Sequence, residues 1–294
     1  MVFNEQWQDT ICEDEPLRPG TRRFGLRVLA RLAGDARRGV ELGADPTRGD
    51  LSAIKFTSTS DVDEADVIAR IQHEHHVLRT LDHPNVRRSF GCRLERRDRQ
   101  SPANAVLLRF VDGATLDRWE SPELPELCQA MSGVCRALAH VHERGWVHGD
   151  LRPRHVIVDG ADRPVVISFG RAVRAGVTFD PSPVPHPYAA PERIDGGVAT
   201  PRADVFGVGA TLAALLLRHP LPAISPGESP ETRRRQHESW AEELAGAGVH
   251  APLCRLVLKA MHPDPLRRPA FIEAIGSHLA DLADTLAHQR RLAA

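Results

Sequence analysis

Two short stretches of this chain hold charged residues spaced for chemistry. Ser52-Ala53-Ile54-Lys55 reads as a strand, and Glu74 lies on the helix after it, three residues past Ile71 and four before Leu78. That spacing sets Glu74 within the apolar stripe of the helix. A carboxylate there needs a buried partner, and the strand lysine is the obvious one; the bland alternative is an exposed glutamate on a solvated helix. Downstream, Trp146-Val-His-Gly-Asp150 leads into a β run ending at Val158, a turn at Asp159-Gly160, and a second run, Pro164-Val-Val-Ile-Ser168-Phe-Gly170. Two β runs flanking a turn return Asp150 and Ser168 to one cleft edge. Asp150, just before a strand, is placed to accept a hydroxyl proton, although a lone loop aspartate also serves as a turn residue. Lys55 and Lys259 are the only lysines, every other basic side chain being arginine. Lysine differs from arginine as a compact point charge that fits beside phosphate oxygens.

The elements that must position these residues change character along the chain. Residues 1–20 are acidic, with Pro16, Pro19 and Gly20 near their end, and read as an N-terminal arm. From Phe24 to Phe56 short apolar runs alternate with turn punctuation at Ala33-Gly34-Asp35 and Asp45-Pro46, the pattern of strands joined by tight turns. Asp61-x-x-Glu64 opens a helix with a capping-box signature, and Val67, Ile71, Leu78 and Leu81 keep helical spacing. Strands follow near Phe90–Leu94 and Ala105–Phe110. Beyond Asp112-Gly113 the pattern is helical: Leu127–Arg144, the strongly apolar Asp204–Leu217, and helices over about 251–262 and 270–288. The expected fold class is α+β, with a β-rich lobe over 21–110 carrying one main helix and an α-helical lobe over 111–294.

Bulk properties narrow the function. With 294 residues, 41% hydrophobic and 26% charged, the chain has the composition of a soluble globular protein. A net charge of -1 gives no bias toward nucleic acid or an acidic membrane. The apolar stretch Val205–Leu217 is too short for a bilayer, which needs roughly 20 residues. The first ten residues carry Glu5 and Asp9 and lack a leader pattern. Five cysteines, odd in number and without a C-x-x-C pair, fit a reducing cytoplasm, with Cys128 and Cys135 as core packing.

Read in order, Ala53-x-Lys55, Glu74, His83-Pro-Asn85, His148-Gly-Asp150, Ser168-Phe-Gly170, Ala190-Pro-Glu192, Asp204 before an apolar helix and Asp264-Pro-Leu-Arg-Arg268 resemble the bacterial branch of the Ser/Thr protein kinase family over about residues 21–285. The resemblance implies a bilobal kinase-like fold with a five-stranded sheet in the first lobe. It implies that Lys55 and Glu74 pair to position ATP phosphates, and that Val40, Ala53 and Ile157 sandwich adenine. Leu108 then matches the gatekeeper, and the backbone of Arg109 and Val111 the hinge. Leu78, His148 and Phe169 match a stacked apolar column, Glu192 and Arg268 a buried ion pair, and Asp150 the catalytic aspartate.

Departures gather where metal and phosphate belong. The metal-binding aspartate of D-F-G is Ser168, and the catalytic-loop asparagine is His155. Magnesium prefers hard, anionic oxygen, and imidazole suits softer metals. Arg152 holds the catalytic-loop lysine position, Gly149 replaces the arginine of H-R-D, Pro185 aligns with the usual threonine, and the glycines of Ala33–Val40 fall at altered offsets. The expectation is a pseudokinase: weak, largely Mg-independent binding of ATP or ADP, no metal, no other cofactor, and action through an unidentified protein partner or substrate. Only Thr178, Ser182 and Tyr188 carry hydroxyls between Gly170 and Ala190, where Pro181, Pro183, Pro185 and Pro187 stiffen the chain, so no phosphorylation switch is expected there. The alternatives are an active Ser/Thr kinase with unusual metal coordination and, because His-Gly-Asp also occurs in aminoglycoside and choline kinases, a small-molecule phosphotransferase. Two further features carry a bland reading each. His73-Glu-His-His76 lacks metal-site spacing and reads as histidines on the solvated helix side. Arg37-Arg38 is either a phosphate clamp or a solvated turn.

Overall fold

In the computed structural model the described residues are 21–35, 38–58, 64–96, 102–181 and 186–293. They divide into two units, residues up to 82 with 87–110, and residues 83–86 with 111 onward. The arm over 1–20, Cys12, Asp61 of the capping box, Arg37, Ser182, Pro183 and Pro185 lie outside the described residues.

The first unit is a single antiparallel sheet with one helix. Its strands are β1 (Arg22–Arg23), β2 (Leu26–Gly34), β3 (Arg38–Ala44), β4 (Leu51–Ser58), β5 (Ser89–Arg96) and β6 (Pro102–Arg109), with α1 (Glu64–Leu78) after β4. The spatial order is β1-β2-β3-β4-β6-β5. The expected five strands are therefore six: β1 is a two-residue edge pairing, too short to show alternation in sequence. Phe24, Leu26, Ile54, Phe56, Ala103, Ala105 and Leu107 form one buried cluster. On α1 the buried positions Ile71, Glu74, Val77 and Leu78 follow the 3–4 residue spacing of one helix face. Leu81 is buried but lies past the end of the helix.

The second unit holds β7 (Gly113–Thr115), α2 (Leu124–Glu143), β8 (Trp146–Val147), β9 (Val156–Asp159), β10 (Pro164–Val166), β11 (Val173–Arg174), α3 (Pro191–Ile194), α4 (Pro201–Leu217), α5 (Pro230–Gly246), α6 (Ala251–Ala260) and α7 (Glu273–Ala293). The element α4 is hydrophobic all round and buried from Ala203 to Ala214, which makes it the central helix of the unit. Gly209 lets α6 approach it: a Cβ there would stand 2.8 Å from the Ala260 Cβ. The last two helices run 251–260 and 273–293 rather than 251–262 and 270–288. The 17-residue α5 has no counterpart in the sequence reading. Only Trp240 and Leu244 are buried on it, too few to make a stripe. Its signals were a Ser229 cap followed by proline, and Glu231–Arg235 and Arg234–Glu238 pairs four residues apart. Among the described residues no helix is long and apolar enough to cross a membrane.

Candidate functional site

Register alone brings together the candidate residues of the first unit. Strand β3 pairs Val40 with Lys55 and Leu42 with Ala53. Strand β6 pairs Leu108 with Ala53. Directly opposed residues share a sheet face, so Val40, Ala53, Lys55 and Leu108 stand on the same one. Lys55 Nζ reaches across to Glu74 Oε2 at 2.6 Å, with the glutamate 1% exposed and the lysine 32%. The exposed-glutamate reading is excluded. His75 Nδ1 lies 2.8 Å from Ser89 Oγ, so this histidine binds β5 rather than facing solvent. Among the described residues no group of three or more His, Cys, Asp or Glu is arranged to hold a metal ion. Leu108 is buried, and the Arg109 amide donates to the Arg88 carbonyl at 2.9 Å.

In the second unit Val111, Ile157 and Val165 form one apolar cluster with Ile167 packed against it. The loop between β8 and β9 is fixed from below by Asp204, in the first turn of α4. Its carboxylate accepts the His148 and Gly149 amides, each at 2.8 Å, and lies 2.8 Å from His142 Nε2. Burial pushes the Asp204 carboxyl up, but these hydrogen bonds and nearby imidazoles outweigh it and hold the group below its ordinary value. His148 places Nε2 3.0 Å from the Ile167 carbonyl and takes the Asp150 amide on Nδ1 at 3.3 Å. Its ring meets Phe169 edge-on at 4.8 Å. Lower down, Arg268 forms a two-pronged pair with Glu192 at 2.6 and 2.9 Å.

The loop so held closes on itself. His155 is buried, and its Nδ1 lies 2.6 Å from the Asp150 carbonyl. Its Nε2 accepts from Arg152 Nε at 3.2 Å. Burial pushes the imidazole down to about 3 in spite of the Asp150 carboxylate, so it is neutral, with the proton on Nδ1. Arg152 also places Nη1 2.9 Å from His186 Nε2, and burial together with this guanidinium lowers His186 to about 4. The Asp150 carboxylate sits amid Arg152 Nε at 3.8 Å, His155 Nδ1 at 3.7 Å and Arg171 Nε at 3.9 Å. These contacts are too long for hydrogen bonds. Burial raises its pKa, yet His155, Arg152 and His186 together leave it below the ordinary carboxylate value.

Ser168 stands in the left-handed region at φ 68 and ψ 57, a conformation that Asp and Asn tolerate better than most residues. Gly149 is also left-handed, at φ +67, and a Cβ on it would lie 3.1 Å from the Phe179 ring. The Phe179 ring in turn lies under the Arg193 guanidinium at 4.9 Å. Sequence reasoning missed Arg171, His186, His142 and Phe179. His186 lies 34 positions from Arg152, beyond any local pattern. Arg171 follows Ser168-Phe-Gly170 directly and was open to notice.

The donor set does not fit magnesium. Both nitrogens of His155 serve the loop, and Ser168 brings no charge. Around Asp150, positive groups outnumber negative ones.

A family model described as protein kinase domain matches residues 38–279. The serine/threonine-protein kinase PkaA of Streptomyces coelicolor is 30% identical over 268 residues, 87% of this chain and 47% of the relative. PrkC of Bacillus subtilis is 25% identical over 255 residues, 82% of this chain and 38% of its own length. The chain thus spans less than half of the curated relatives it matches. The kinase domain of Mycobacterium tuberculosis PknI superposes with a TM-score of 0.65 at 21% identity, covering 90% of this chain and 99% of that domain.

Proposed function

The chain belongs to the protein kinase family and has its bilobal α+β fold, and from that premise we propose that it is a pseudokinase, a nucleotide-binding module that acts through a protein partner rather than by phosphotransfer. One observation carries the reading: His155, at a metal position, spends both ring nitrogens on the Asp150 carbonyl and on Arg152. With Ser168 at the other position, two of the groups that would neutralise the γ-phosphate are missing, and each such loss typically costs about 10²–10³ in rate.

Nucleotide binding in this reading draws on the positions that the family resemblance assigns to it: Lys55, held by Glu74, the apolar Val40, Ala53, Leu108 and Ile157, and the backbone of Arg109 and Val111. Binding of ATP or ADP is weak and little changed by magnesium. The free, buried Cys128 and Cys135 fit a reducing, cytoplasmic setting.

A second reading, an active Ser/Thr kinase with unusual metal coordination, is favoured by Asp150, which stays ionised with none of its side-chain contacts within hydrogen-bond distance. Labelled ATP with a generic protein substrate and Mg²⁺ or Mn²⁺ separates the two. We expect no transfer above background from the wild type. Robust metal-dependent transfer that Asp150→Ala abolishes would establish the active kinase instead. The double change Ser168→Asp with His155→Asn should make nucleotide thermal shifts depend on Mg²⁺ before any activity returns.

A further inference from the structure

We propose that Arg171 and Arg152 form a metal-free oxyanion site in the second unit, built to take the terminal phosphate of a nucleotide in the place of a magnesium ion. The inference rests on the nucleotide-binding reading above and goes beyond it in naming what replaces the metal.

Two guanidinium groups and one carboxylate make up the site. Arg171 and Arg152 each approach the Asp150 carboxylate, at 3.9 and 3.8 Å, without hydrogen-bonding it. The imidazoles beside them add no charge near neutral pH, since burial holds His155 at about 3 and His186 at about 4. The carboxylate therefore leaves a positive surplus of roughly one charge. A divalent cation entering this ring is repelled, whereas a phosphate is drawn in.

Geometry agrees with charge. Arg152 is tethered at Nε and Nη1 by the two histidines, which fixes the plane of its guanidinium and leaves Nη2 to donate. Arg171 is 44% exposed, and among the described residues its guanidinium has no acceptor within hydrogen-bond distance. A guanidinium with free N–H groups is the best match for a two-pronged grip on phosphate. Arg152 thus supplies a fixed donor and Arg171 an open one.

The test is calorimetric titration of the whole chain, in EDTA, with ATP, ADP, adenosine and inorganic tripolyphosphate. The expected order is ATP tighter than ADP and ADP tighter than adenosine, and excess Mg²⁺ does not tighten ATP binding. Arg171→Ala should weaken ATP roughly tenfold, as for the loss of a charge-assisted hydrogen bond, and leave adenosine unchanged. Arg171 is exposed, so this variant keeps its fold, and Arg171→Lys should recover only part of the loss. Equal affinities for ATP and adenosine would overturn the oxyanion site and leave the nucleotide reading standing. Should adenosine and both nucleotides fail to bind, the nucleotide reading falls. Tripolyphosphate then decides alone: binding lost in Arg171→Ala keeps the site, with free polyphosphate as its ligand, and no binding removes it.

Discussion

Glu192, Asp204 and Arg268 lie in the same unit as Asp150, His155 and Ser168, yet the two sets answer to different partners. The first set contacts the protein itself. Asp204 holds two backbone amides and an imidazole, and Arg268 adds the Arg202, His262 and Pro263 carbonyls to its grip on Glu192. In the second set, His155 is a buried neutral imidazole bonded within its own loop and Ser168 a hydroxyl in a left-handed turn, while Arg171 beside them is left open. Bracing the His-Gly-Asp loop from outside and closing it from within are thus separable tasks, done by different side chains.

The largest expected effect tests the bracing. Arg268 is 0% exposed at its side chain, so Glu192→Ala leaves a buried guanidinium short of its counter-charge, at a cost of about 3–5 kcal/mol. Urea unfolding measures it. A loss under 1 kcal/mol would mean that the carbonyl contacts suffice and that the ion pair is dispensable.

A middle-sized effect tests the loop. His155 titrates near 3 in the fold and near its ordinary 6.5 when unfolded. Between those values the unfolded chain binds a proton that the folded one does not. The stabilisation is therefore full above about 6.5 and declines as pH falls toward 3. Between pH 7 and 5.5, the wild type should lose about 1 kcal/mol more than His155→Asn does. His186, also lowered, supplies a slope that both proteins share. Parallel pH profiles for the two would show that the imidazole is not held neutral by burial.

The smallest effect sharpens the comparison at one backbone position. Ser168 occupies a left-handed conformation that costs a β-carbon-bearing residue about 1 kcal/mol or more. Ser168→Gly should stabilise the chain by about 0.5–1 kcal/mol, and Ser168→Asp should be nearly neutral. A clear destabilisation by glycine would mean that the serine hydroxyl has a structural partner.

Much of this was legible in the sequence, for local reasons. Glu74 was found because helical spacing marks a buried position and an apolar strand supplies its lysine. The loop of Asp150 and its altered neighbours was found because each residue sits at a fixed offset from His148. What escaped lacked a period or a short separation. Helix α5 buries two side chains in five turns and is tied to the rest of the unit by long-range polar contacts from Arg233, Gln236 and His237. The edge strand β1 has two residues. His186 meets Arg152 only after the chain has passed through β9, β10 and β11.

Gly149 has a consequence for any side chain placed there. Its left-handed backbone, at φ +67, strains a residue that carries a Cβ, and the Phe179 ring, 3.1 Å from where that Cβ would stand, would have to give by a few tenths of an ångström. Phe179 is itself covered by the Arg193 guanidinium, so the adjustment passes on to a second residue. The fit of this one position is thus set by a chain of three residues rather than by the loop alone.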